Sequence, residues 1–368
     1  MKHRTRIAYY VTSHGFGHLN RAAAVVESLP PDVGIVVKTH PDLFARWRES
    51  VGRPCELLEG VFDCGAVHPP GESSLVDPQA TLERYAEVHA AARSRLSDEV
   101  AFLRDGRFDA VASDIAPLPL RAAALAGIPG LLVANFTWAD IFRPYARRCS
   151  RAYDPLLREM QDEYAQASVL LRAQPALPPN GIAQVREVGL VARRGRSRRS
   201  ELLAELALPR QARLVYLYVG RYGQDDMDWQ NLARLADFEF VTYHALELNH
   251  PNWHIVDPAR WSPRDLAATV DVMVAKAGYG TVTDAMTHRV PLVFPPRFAF
   301  AEHRVLAAGL RRWGGGVPVS TREFKELRLR PALETACHLR PKPPRGPCDG
   351  AQRCAREILR CARIPRSP

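Results

Sequence analysis

Short apolar runs alternate with amphipathic stretches along most of the 368-residue chain. The runs are rich in valine, isoleucine and leucine, which is typical of strands buried on both faces of a parallel sheet. The stretches between them carry apolar residues at helical spacing. Such alternation predicts an α/β fold with doubly wound parallel sheets. Strands are predicted at 7–12, 33–38, 55–58, 109–113, 130–134, 169–171, 214–219, 239–244, 254–256, 270–275 and 291–295. The longer helices are predicted at 19–29, 81–104, 281–288, 322–337 and 349–361, and several helical segments at 138–167.

Two features interrupt the alternation and indicate a domain boundary. Pro175–Gly181 contains several helix-breaking residues, and Arg193–Arg199 has five arginines in seven residues, a charge density that requires exposure. We therefore predict an N-terminal Rossmann-like domain at 1–190 and a C-terminal one at 200–340. A C-terminal helix and basic tail are predicted at 341–368. This segment could return to the N-terminal domain. Ligands of such domains lie at the carboxyl ends of strands, here expected in a central cleft.

The most informative turn follows the predicted strand at 270–275. It contains Lys276, Gly278, Gly280 and Thr281, and a helix is predicted to begin near Thr281. The first N–H groups of a helix have no intrahelical partner and the helix dipole is positive there, so the turn suits a phosphate. A structural turn without a ligand is the alternative. Asp284 comes about one helical turn later, where its carboxylate can reach the same site.

A second glycine-rich turn follows the first predicted strand. It holds His14, Gly15, Gly17 and His18, and Arg21 comes three residues later. A nicotinamide site is not favoured, because Asn20 stands where a third glycine is needed and no acidic residue follows the second strand. The imidazole of His18 could act as a general base, although it could also only cap the loop or bind phosphate.

Asp114 and Gly220 also stand at the ends of predicted strands. The carboxylate of Asp114 could orient an imidazole or serve as a helix N-cap. Gly220 and Arg221 could add a further phosphate contact or form a plain turn. The sequence Asp226-Met227-Asp228 could bind a metal, but closely spaced acids are more often a solvated loop, so no metal site is predicted.

Charge and composition restrict the remaining classes. The net charge is +10, and Arg322–Pro368 contributes 12 Lys/Arg against 5 Asp/Glu, but there is no nucleic-acid-binding motif. Nucleic acid is therefore not favoured as a partner. Contact of the basic surface with an anionic membrane or an anionic acceptor is favoured over it. The seven cysteines are scattered, no apolar run approaches a membrane span, and the N-terminus is interpreted as a strand. These features predict a cytoplasmic protein, with peripheral contact at the inner face of the membrane as an option.

The stretch 261–303 resembles the donor-binding signature of GT-B glycosyltransferases, which use nucleotide sugars. Trp261-Ser262-Pro263-Arg264 is similar to the Trp-x-Pro-Gln segment whose Trp stacks on the nucleobase, and Lys276 replaces the usual His. The resemblance implies that Asp284 binds the ribose and that Glu302-His303 binds the donor sugar. The donor-binding residues implied by it are Trp261, Lys276, Gly278, Tyr279, Gly280, Thr281, Asp284, Glu302, His303, Gly220 and Arg221.

The N-terminal motifs extend this resemblance. Gly17-His18 is similar to the Gly-His segment of GT-B enzymes, including peptidoglycan-type N-acetylglucosaminyltransferases, and Asp114 resembles the partner of the catalytic base in plant UDP-glycosyltransferases. Almost the whole chain is similar to the N-terminal glycosyltransferase-like half of plant L-arabinokinases, and the kinase half does not follow. The motifs that carry this similarity are the segment ending at His18, Asp63-Cys-Gly-Ala-Val, Ala112-Ser-Asp114, Asn135-Phe-Thr-Trp138 and Lys276-Ala-Gly-Tyr-Gly-Thr281.

These resemblances imply a metal-independent inverting glycosyltransferase without a cofactor. It would move a sugar from a UDP or dTDP donor to an acceptor hydroxyl on a glycan, lipid or small molecule, with His18 as base and Asp114 as its partner. Two alternatives stay open: a non-catalytic sugar-nucleotide-binding protein of the same fold, and a UDP-sugar 2-epimerase.

Overall fold

The computed structural model describes residues 4–69, 75–220, 227–244, 246, 248 and 250–363. The chain divides into two compact units. Unit 1 comprises the residues up to Val67, Val76–Ala192 and the residues from Pro347 onward; unit 2 comprises His68–Leu75 and Arg193–Gly346. Each unit has its own parallel sheet and its own hydrophobic core.

Unit 1 is built on a seven-stranded parallel sheet. Its inner strands are apolar and buried, since helices cover the faces of the sheet. The strands are β1 (Arg6–Val11), β2 (Gly34–Thr39), β3 (Glu56–Glu59), β4 (Ala110–Asp114), β5 (Gly130–Ala134), β6 (Val169–Ala173) and β7 (Val185–Gly189). Their order is β3-β2-β1-β4-β5-β6-β7, so the direction of winding reverses between β1 and β4.

In the described part of unit 1, seven helices precede the C-terminal segment. They are α1 (Phe16–Glu27), α2 (Phe44–Ser50), α3 (Pro78–Arg93), α4 (Leu96–Asp105), α5 (Leu118–Ala126), α6 (Trp138–Cys149) and α7 (Asp154–Ala165). Short 3-10 segments lie at Pro41–Leu43 and Arg151–Tyr153. One core cluster joins Val36 and Val111 of the sheet to Leu103, Ala122 and Ile128. Burial of this apolar surface holds α4 and α5 against the sheet.

Unit 2 repeats the arrangement with six parallel strands. They are β8 (Leu214–Tyr218), β9 (Glu239–Thr242), β10 (Trp253–Ile255), β11 (Val272–Ala275), β12 (Leu292–Phe294) and β13 (Gly316–Pro318). Their order is β10-β9-β8-β11-β12-β13, so winding reverses between β8 and β11. Residues from β8, β9, β11 and β12 form a core cluster together with Leu329 and Leu333.

The helices of unit 2 flank this sheet. They are α8 (Arg199–Glu205), α9 (Pro263–Thr269), α10 (Tyr279–His288), α11 (Ala301–Trp313), α12 (Thr321–Lys325) and α13 (Arg330–His338), and a 3-10 helix lies at Trp229–Leu235. Local signals explain several of their ends. Ser262 and Ser320 accept N-cap hydrogen bonds, and Gly314 ends α11 with φ 85°.

The C-terminal segment belongs to unit 1 and ends in α14 (Gly350–Ala362). Hydrogen bonds from Leu190 N–H to the Pro347 carbonyl (3.0 Å) and from Gly350 N–H to the Leu190 carbonyl (3.0 Å) fix its entry. α14 packs on α1, β4 and β7 and buries Cys354 and Ile358. Within the described ranges, no helix has the length and apolar character needed to cross a lipid bilayer.

Three sequence predictions differ from the observed elements. The helix predicted at 81–104 is two helices, α3 and α4, because Ser94 and Arg95 lie between them. The region 322–337 is likewise two helices, α12 and α13. The sequence Gly314-Gly315-Gly316 by itself indicates a flexible turn, but Gly316 begins β13 and pairs with Leu292.

Candidate functional site

Polar side chains gather where the winding of unit 1 reverses. His18 follows β1, Asp114 ends β4 and Asn135 follows β5. The carboxyl ends of neighbouring parallel strands lie at one edge of the sheet, so the topology brings these residues together. Helix α1 begins at Phe16, earlier than predicted, and Gly17 and His18 therefore lie in its first turn. Gly15 precedes it with φ 76°, a conformation that favours glycine.

His18 and Asp114 form a buried hydrogen-bonded pair. His18 Nδ1 lies 2.7 Å from Asp114 Oδ1, and the two residues are 8% and 0% exposed. A carboxylate cannot donate, so the proton of this bond belongs to Nδ1. Nε2 of a neutral His18 is then without a proton and is able to accept one. This is the tautomer that a general base requires.

Arg21 completes the polar group from the next turn of α1. Its Nε donates to Asp114 Oδ2 (2.7 Å), its Nη2 to Asp114 Oδ1 (2.6 Å), and its Nη1 to Asn135 Oδ1 (2.6 Å). Burial alone would raise the pKa of Asp114, but the Arg21 guanidinium and the His18 ring hold the pKa below its usual value. Asp114 is consequently an ionised acceptor inside the protein.

A second buried carboxylate, Asp63, lies close to this group. It accepts hydrogen bonds from Thr12 Oγ1 and from Trp138 Nε1, the latter at 2.7 Å. Burial raises the pKa of Asp63 above its ordinary value, although both donors and the neighbouring His18 oppose the rise. Trp138 begins α6, whose N-cap Thr137 forms a capping box with Asp140. Asp63 therefore ties the loop after β3 to the start of α6.

Aromatic rings surround His18. Phe136 and Trp138 lie with ring centroids 5.9 and 6.2 Å from its imidazole. The half-buried His14 packs edge-on to Trp138 at 5.3 Å and lies 6.3 Å from His18. A side chain at Gly65 would collide with the His14 ring, since its Cβ would be 2.1 Å from it. The predicted residues His14, Gly15, Gly17, His18, Arg21 and Asp114 thus lie in one region of unit 1.

The equivalent reversal of unit 2 carries the other predicted residues. Gly220 follows β8 with φ 83°, and Lys276 follows β11. Gly278 is the N-cap of α10 without a side-chain cap, and Tyr279, Gly280 and Thr281 form its first turn. A Cβ at Gly220 or Gly278 would meet nothing within 4 Å, so the backbone there is open to a ligand. Arg221 lies outside the described residues.

Asp284 lies in the next turn of α10 and is half-buried. Burial raises the pKa of its carboxyl to about 7, and Arg193 and Arg264 oppose the rise. Such a perturbed carboxyl at the end of a sheet is typical of a functional position.

Trp261 does not have the environment that base stacking requires, which corrects the prediction. The residue is 0% exposed, its Nε1 donates to Glu205 Oε2 (3.1 Å), and Arg198 lies 4.2 Å from the ring centroid. A ring enclosed in this way offers no face to a nucleobase. Its aromatic area and its N–H are both used inside unit 2.

Glu302 and His303 are in the first turn of α11. Glu302 is 5% exposed. His303 packs edge-on to Phe294, and its buried Nδ1 has no hydrogen-bond partner among the described residues. Burial lowers the pKa of His303, and Arg297 adds to the lowering.

The acidic sequence 226–228 has little in common with a metal site. Asp226 lies outside the described residues, Met227 is buried, and Asp228 Oδ2 accepts from Asn231 Nδ2 at 2.6 Å. In the part of the chain that the structure describes, no three His, Cys, Asp or Glu side chains are grouped as metal ligands would be.

The chain is similar in sequence to an L-arabinokinase of Arabidopsis thaliana. The two are 32% identical over 343 residues, which cover 91% of this chain and 32% of that protein. The chain thus spans about a third of the length of the curated relative that it matches. The predicted resemblance to L-arabinokinases is confirmed by this similarity. No family model matches the chain.

Solved structures with the same architecture are glycosyltransferases. VinC in complex with dTDP has a TM-score of 0.62 and 15% identity, over 98% of this chain and 96% of that one. A UDP-glucosyltransferase of Polygonum tinctorium has a TM-score of 0.61 and 16% identity, over 98% and 99%. The chain has the GT-B fold. The predicted fold class is thereby confirmed. A third neighbour, UGT2 of Phytolacca americana complexed with UDP-2-fluoro-glucose and pterostilbene, has a TM-score of 0.60 and 13% identity, over 98% and 94%.

Several residues of the unit 1 group have no role predicted from the sequence. Asn135, Asp63 and Trp138 stood in motifs but not among the predicted site residues, and Arg21 was named without its contact to Asp114. A usable signal existed, because Asn135 directly follows a buried strand, where a polar side chain faces the ligand edge of a parallel sheet.

Proposed function

We propose that the chain is a glycosyltransferase that uses a nucleoside diphosphate sugar of the UDP or dTDP type. The observation that carries the proposal is the buried pair of His18 and Asp114, in which Nδ1 is protonated and Nε2 can accept a proton. The GT-B fold and the dTDP and UDP-sugar ligands of two structural neighbours support the donor class. The similarity to L-arabinokinase supports a sugar substrate.

In the proposed reaction, Nε2 of His18 takes the proton of an acceptor hydroxyl. The acceptor oxygen attacks the anomeric carbon while the bond from that carbon to the diphosphate oxygen breaks. The nucleoside diphosphate leaves from the opposite side, so the anomeric configuration inverts. Asp114 stabilises the imidazolium that forms.

The leaving diphosphate is assigned to the first turn of α10. Its backbone N–H groups have no intrahelical partner, and Gly278 leaves space in front of them. Lys276 adds a positive charge, and Asp284 would accept from the ribose hydroxyls. We assign Gly220 and Arg221 to the same ligand, and Glu302 and His303 to the sugar. This charge stabilisation does not call for a metal ion in the proposed mechanism.

Donor binding is tested first. Purified protein is titrated with UDP, dTDP and GDP and with their glucose derivatives, by calorimetry and thermal shift. A ligand bound by the native state alone raises the melting temperature. We expect a UDP or dTDP ligand to do so, and we expect Gly278→Val to abolish the effect because its side chain would fill the space in front of α10. Failure of every nucleotide to bind would contradict the donor assignment.

Turnover is tested with His18→Ala and with His338→Ala as a matched control, because His338 is an exposed histidine of α13. Loss of a general base typically costs about 100- to 10,000-fold in rate. We expect that loss in His18→Ala alone, with donor affinity unchanged. Donor binding without any transfer in the wild type would instead favour the non-catalytic binding protein. Conversion of a UDP-sugar without an acceptor would favour the epimerase.

The acceptor hydroxyl, a cytoplasmic location and contact with an anionic membrane stay predictions. A screen of glycan, lipid and small-molecule hydroxyls, with the donor found above, identifies the acceptor. Sedimentation with anionic and neutral vesicles tests the membrane contact.

A further inference from the structure

The geometry points to Arg21 as a positioning residue that keeps Asp114 ionised and aimed at His18, so that His18 holds its proton on Nδ1. The inference deepens the proposed function, on which it rests only for the role of His18 as the base. Its closing experiment observes the His18 ring directly and does not require turnover.

The first support is the completeness of the contact between Arg21 and Asp114. Nε and Nη2 form two hydrogen bonds, of 2.7 and 2.6 Å, to the two different carboxylate oxygens. Such a two-point contact fixes the plane of the carboxylate as well as its charge. Nη1 is held in turn by Asn135 at 2.6 Å, so the guanidinium itself cannot rotate.

The second support is burial. Asp114 is 0% exposed and Arg21 is 2% exposed, so water cannot compensate the carboxylate charge. A buried carboxyl without a cation tends to bind a proton. The guanidinium does not lose its proton under any working condition, and it therefore holds Asp114 ionised across the whole useful pH range. Arg21 and His18 are three residues apart in α1, which places both side chains on the same face.

Other titratable groups also face Asp114. Tyr9 of β1, Cys354 of α14 and Asp63 of the loop after β3 all interact with it electrostatically. Burial raises the pKa of Tyr9 and of Cys354, so both are neutral near pH 7 and supply no positive charge. Asp63 would add a negative charge if it were ionised. None of these three groups could replace the cation of Arg21.

Removing the guanidinium charge would leave two ways to neutralise Asp114. The carboxyl could bind a proton, after which its bond to Nδ1 weakens, or His18 could become an imidazolium. In the wild type, the positive charge of Arg21 disfavours the imidazolium, because Arg21 Nη2 lies only 3.1 Å from His18 Nδ1. In the imidazolium the Nε2 lone pair is occupied, so the base would be lost near neutral pH.

The test uses protein labelled with 15N in its histidine rings. Ring nitrogen spectra distinguish the Nδ1–H tautomer, the Nε2–H tautomer and the imidazolium, and His18→Gln assigns the His18 signals. Spectra are recorded from pH 5 to 9 for the wild type, Arg21→Gln and Arg21→Lys. Gln removes the charge while keeping a donor, and Lys keeps the charge.

We expect the neutral His18 ring of the wild type to carry its proton on Nδ1. In Arg21→Gln, the imidazolium should persist to higher pH, or the ring should change to the Nε2–H tautomer. Arg21→Lys should restore the wild-type state. If transfer is found, the rate of Arg21→Gln at pH 7 should fall about tenfold or more and recover on the alkaline side if the imidazolium forms. A role limited to folding would lower stability without moving the ring state.

Folding is checked by circular dichroism for every variant. If Arg21→Gln does not fold, Asn135→Ala is measured instead, because it frees Nη1 and leaves the charge inside; a smaller change in the same direction is expected. A folded Arg21→Gln, or in its place Asn135→Ala, with the wild-type ring state at every pH overturns the inference. If the wild type transfers no sugar but the ring state changes as expected, the positioning role stands and the proposed function fails.

Discussion

At the scale of single residues, burial determines which polar side chains can act and which only hold the fold. Asp114 is enclosed but bonded through both oxygens, and it directs the proton of His18. Trp261 is enclosed as well, but its ring lies under Arg198 and its N–H is used by Glu205. The same degree of burial thus keeps Asp114 in contact with His18 and leaves no ring face of Trp261 accessible.

Trp261 is therefore expected to matter for stability. Trp261→Ala should lower the free energy of unfolding by about 3–5 kcal/mol, because it leaves a cavity and removes the hydrogen bond to Glu205, whereas Trp261→Phe should cost less. Denaturant unfolding measures this effect, and calorimetry with UDP or dTDP on Trp261→Phe serves as the control. A variant of normal stability that fails to bind nucleotide would restore the base-stacking assignment.

Asp284 should behave in the opposite way to Trp261, since its substitution is expected to raise stability and to weaken nucleotide binding. A pKa raised to about 7 means that folding favours the protonated carboxyl, so its stabilising effect is complete below the unfolded pKa, near 4, and is lost as pH rises through 7. The free energy of unfolding of Asp284→Asn should rise relative to that of the wild type as pH increases from 4 to 7. Above pH 7 this difference should stay constant. The advantage should be on the order of 2 kcal/mol, since each pKa unit corresponds to about 1.4 kcal/mol and water at the half-buried group reduces the sum.

Urea unfolding of Asp284→Asn at pH 4, 6 and 8 measures this advantage, and Asp32→Asn is the control because Asp32 is exposed. The same substitution should weaken nucleotide binding if Asp284 accepts from the ribose. An advantage that is independent of pH would contradict the assigned pKa.

At the scale of elements, the two site-bearing helices are held in different ways. α1 is fixed by side chains, through Arg21 and its partners. α10 and its neighbour α9 are fixed in part by the linker segment 193–198, whose backbone N–H groups donate to side chains of both helices. Gly195 N–H donates to His288 Nε2 (2.9 Å), Arg196 N–H to Asp265 Oδ1 (2.8 Å) and Arg198 N–H to Thr269 Oγ1 (3.0 Å).

The bond to His288 should make this attachment sensitive to acid. Nδ1 faces the Asp284 carbonyl at 2.9 Å and donates to it, so Nε2 can accept from Gly195 only while the ring is neutral. Burial lowers the pKa of His288, Arg194 adds to the lowering, and the carbonyl of Asp284 and the charge of Asp265 oppose it. Stability from the neutral ring is therefore complete above the unfolded pKa, about 6.5, and is lost as pH falls through the folded value.

We expect His288→Gln to lose less stability than the wild type between pH 7 and 5, because Gln carries no charge in this range. Thermal unfolding at several pH values measures the difference, and His338→Gln is the control. The contributions of His68, His244 and His303, whose pKa values are also lowered, cancel in this comparison. Identical pH dependence of His288→Gln and the wild type would show that the linker bond does not titrate.

At the scale of the whole molecule, the path of the chain does not follow the two units in sequence. After an earlier passage into unit 2 at His68–Leu75, the chain leaves unit 1 at Ala192, builds the rest of unit 2 and returns to unit 1 at Pro347. α14 then packs on α1, the helix that carries His18 and Arg21. The C-terminal segment therefore supports the site of unit 1 from a distance of more than three hundred residues along the sequence.

Ile358 of α14 offers a test of this arrangement, since it is 0% exposed. Ile358→Ala should cost about 2–5 kcal/mol, and hydrogen exchange should show the loss of protection in β1 and β4 but not in β8 and β11. Leu125→Ala is the matched control, because Leu125 is 51% exposed and should change stability little. Equal loss of protection in both sheets would contradict the division into units.

The local pattern of apolar and polar residues was sufficient to predict much of the architecture. Apolar runs located most strands of both sheets, because a strand buried on both faces needs consecutive apolar residues. Breaks within helical stretches were harder, as with α3 and α4, since Ser94 and Arg95 are compatible with a helix. β7 was not predicted because its outer residues are exposed and polar, and β13 was not predicted because it begins within a run of glycines.

The sequence by itself determined the two doubly wound sheets and the strand ends where polar residues collect, because both depend on neighbours in the chain. Only the tertiary structure decided which of those residues bond to each other. Arg21 and Asp114 are 93 positions apart, and Trp261 is enclosed by Arg198 and Glu205 from a different segment. Such contacts follow from how the strands are ordered and how the helices pack, and no local pattern of residues encodes them.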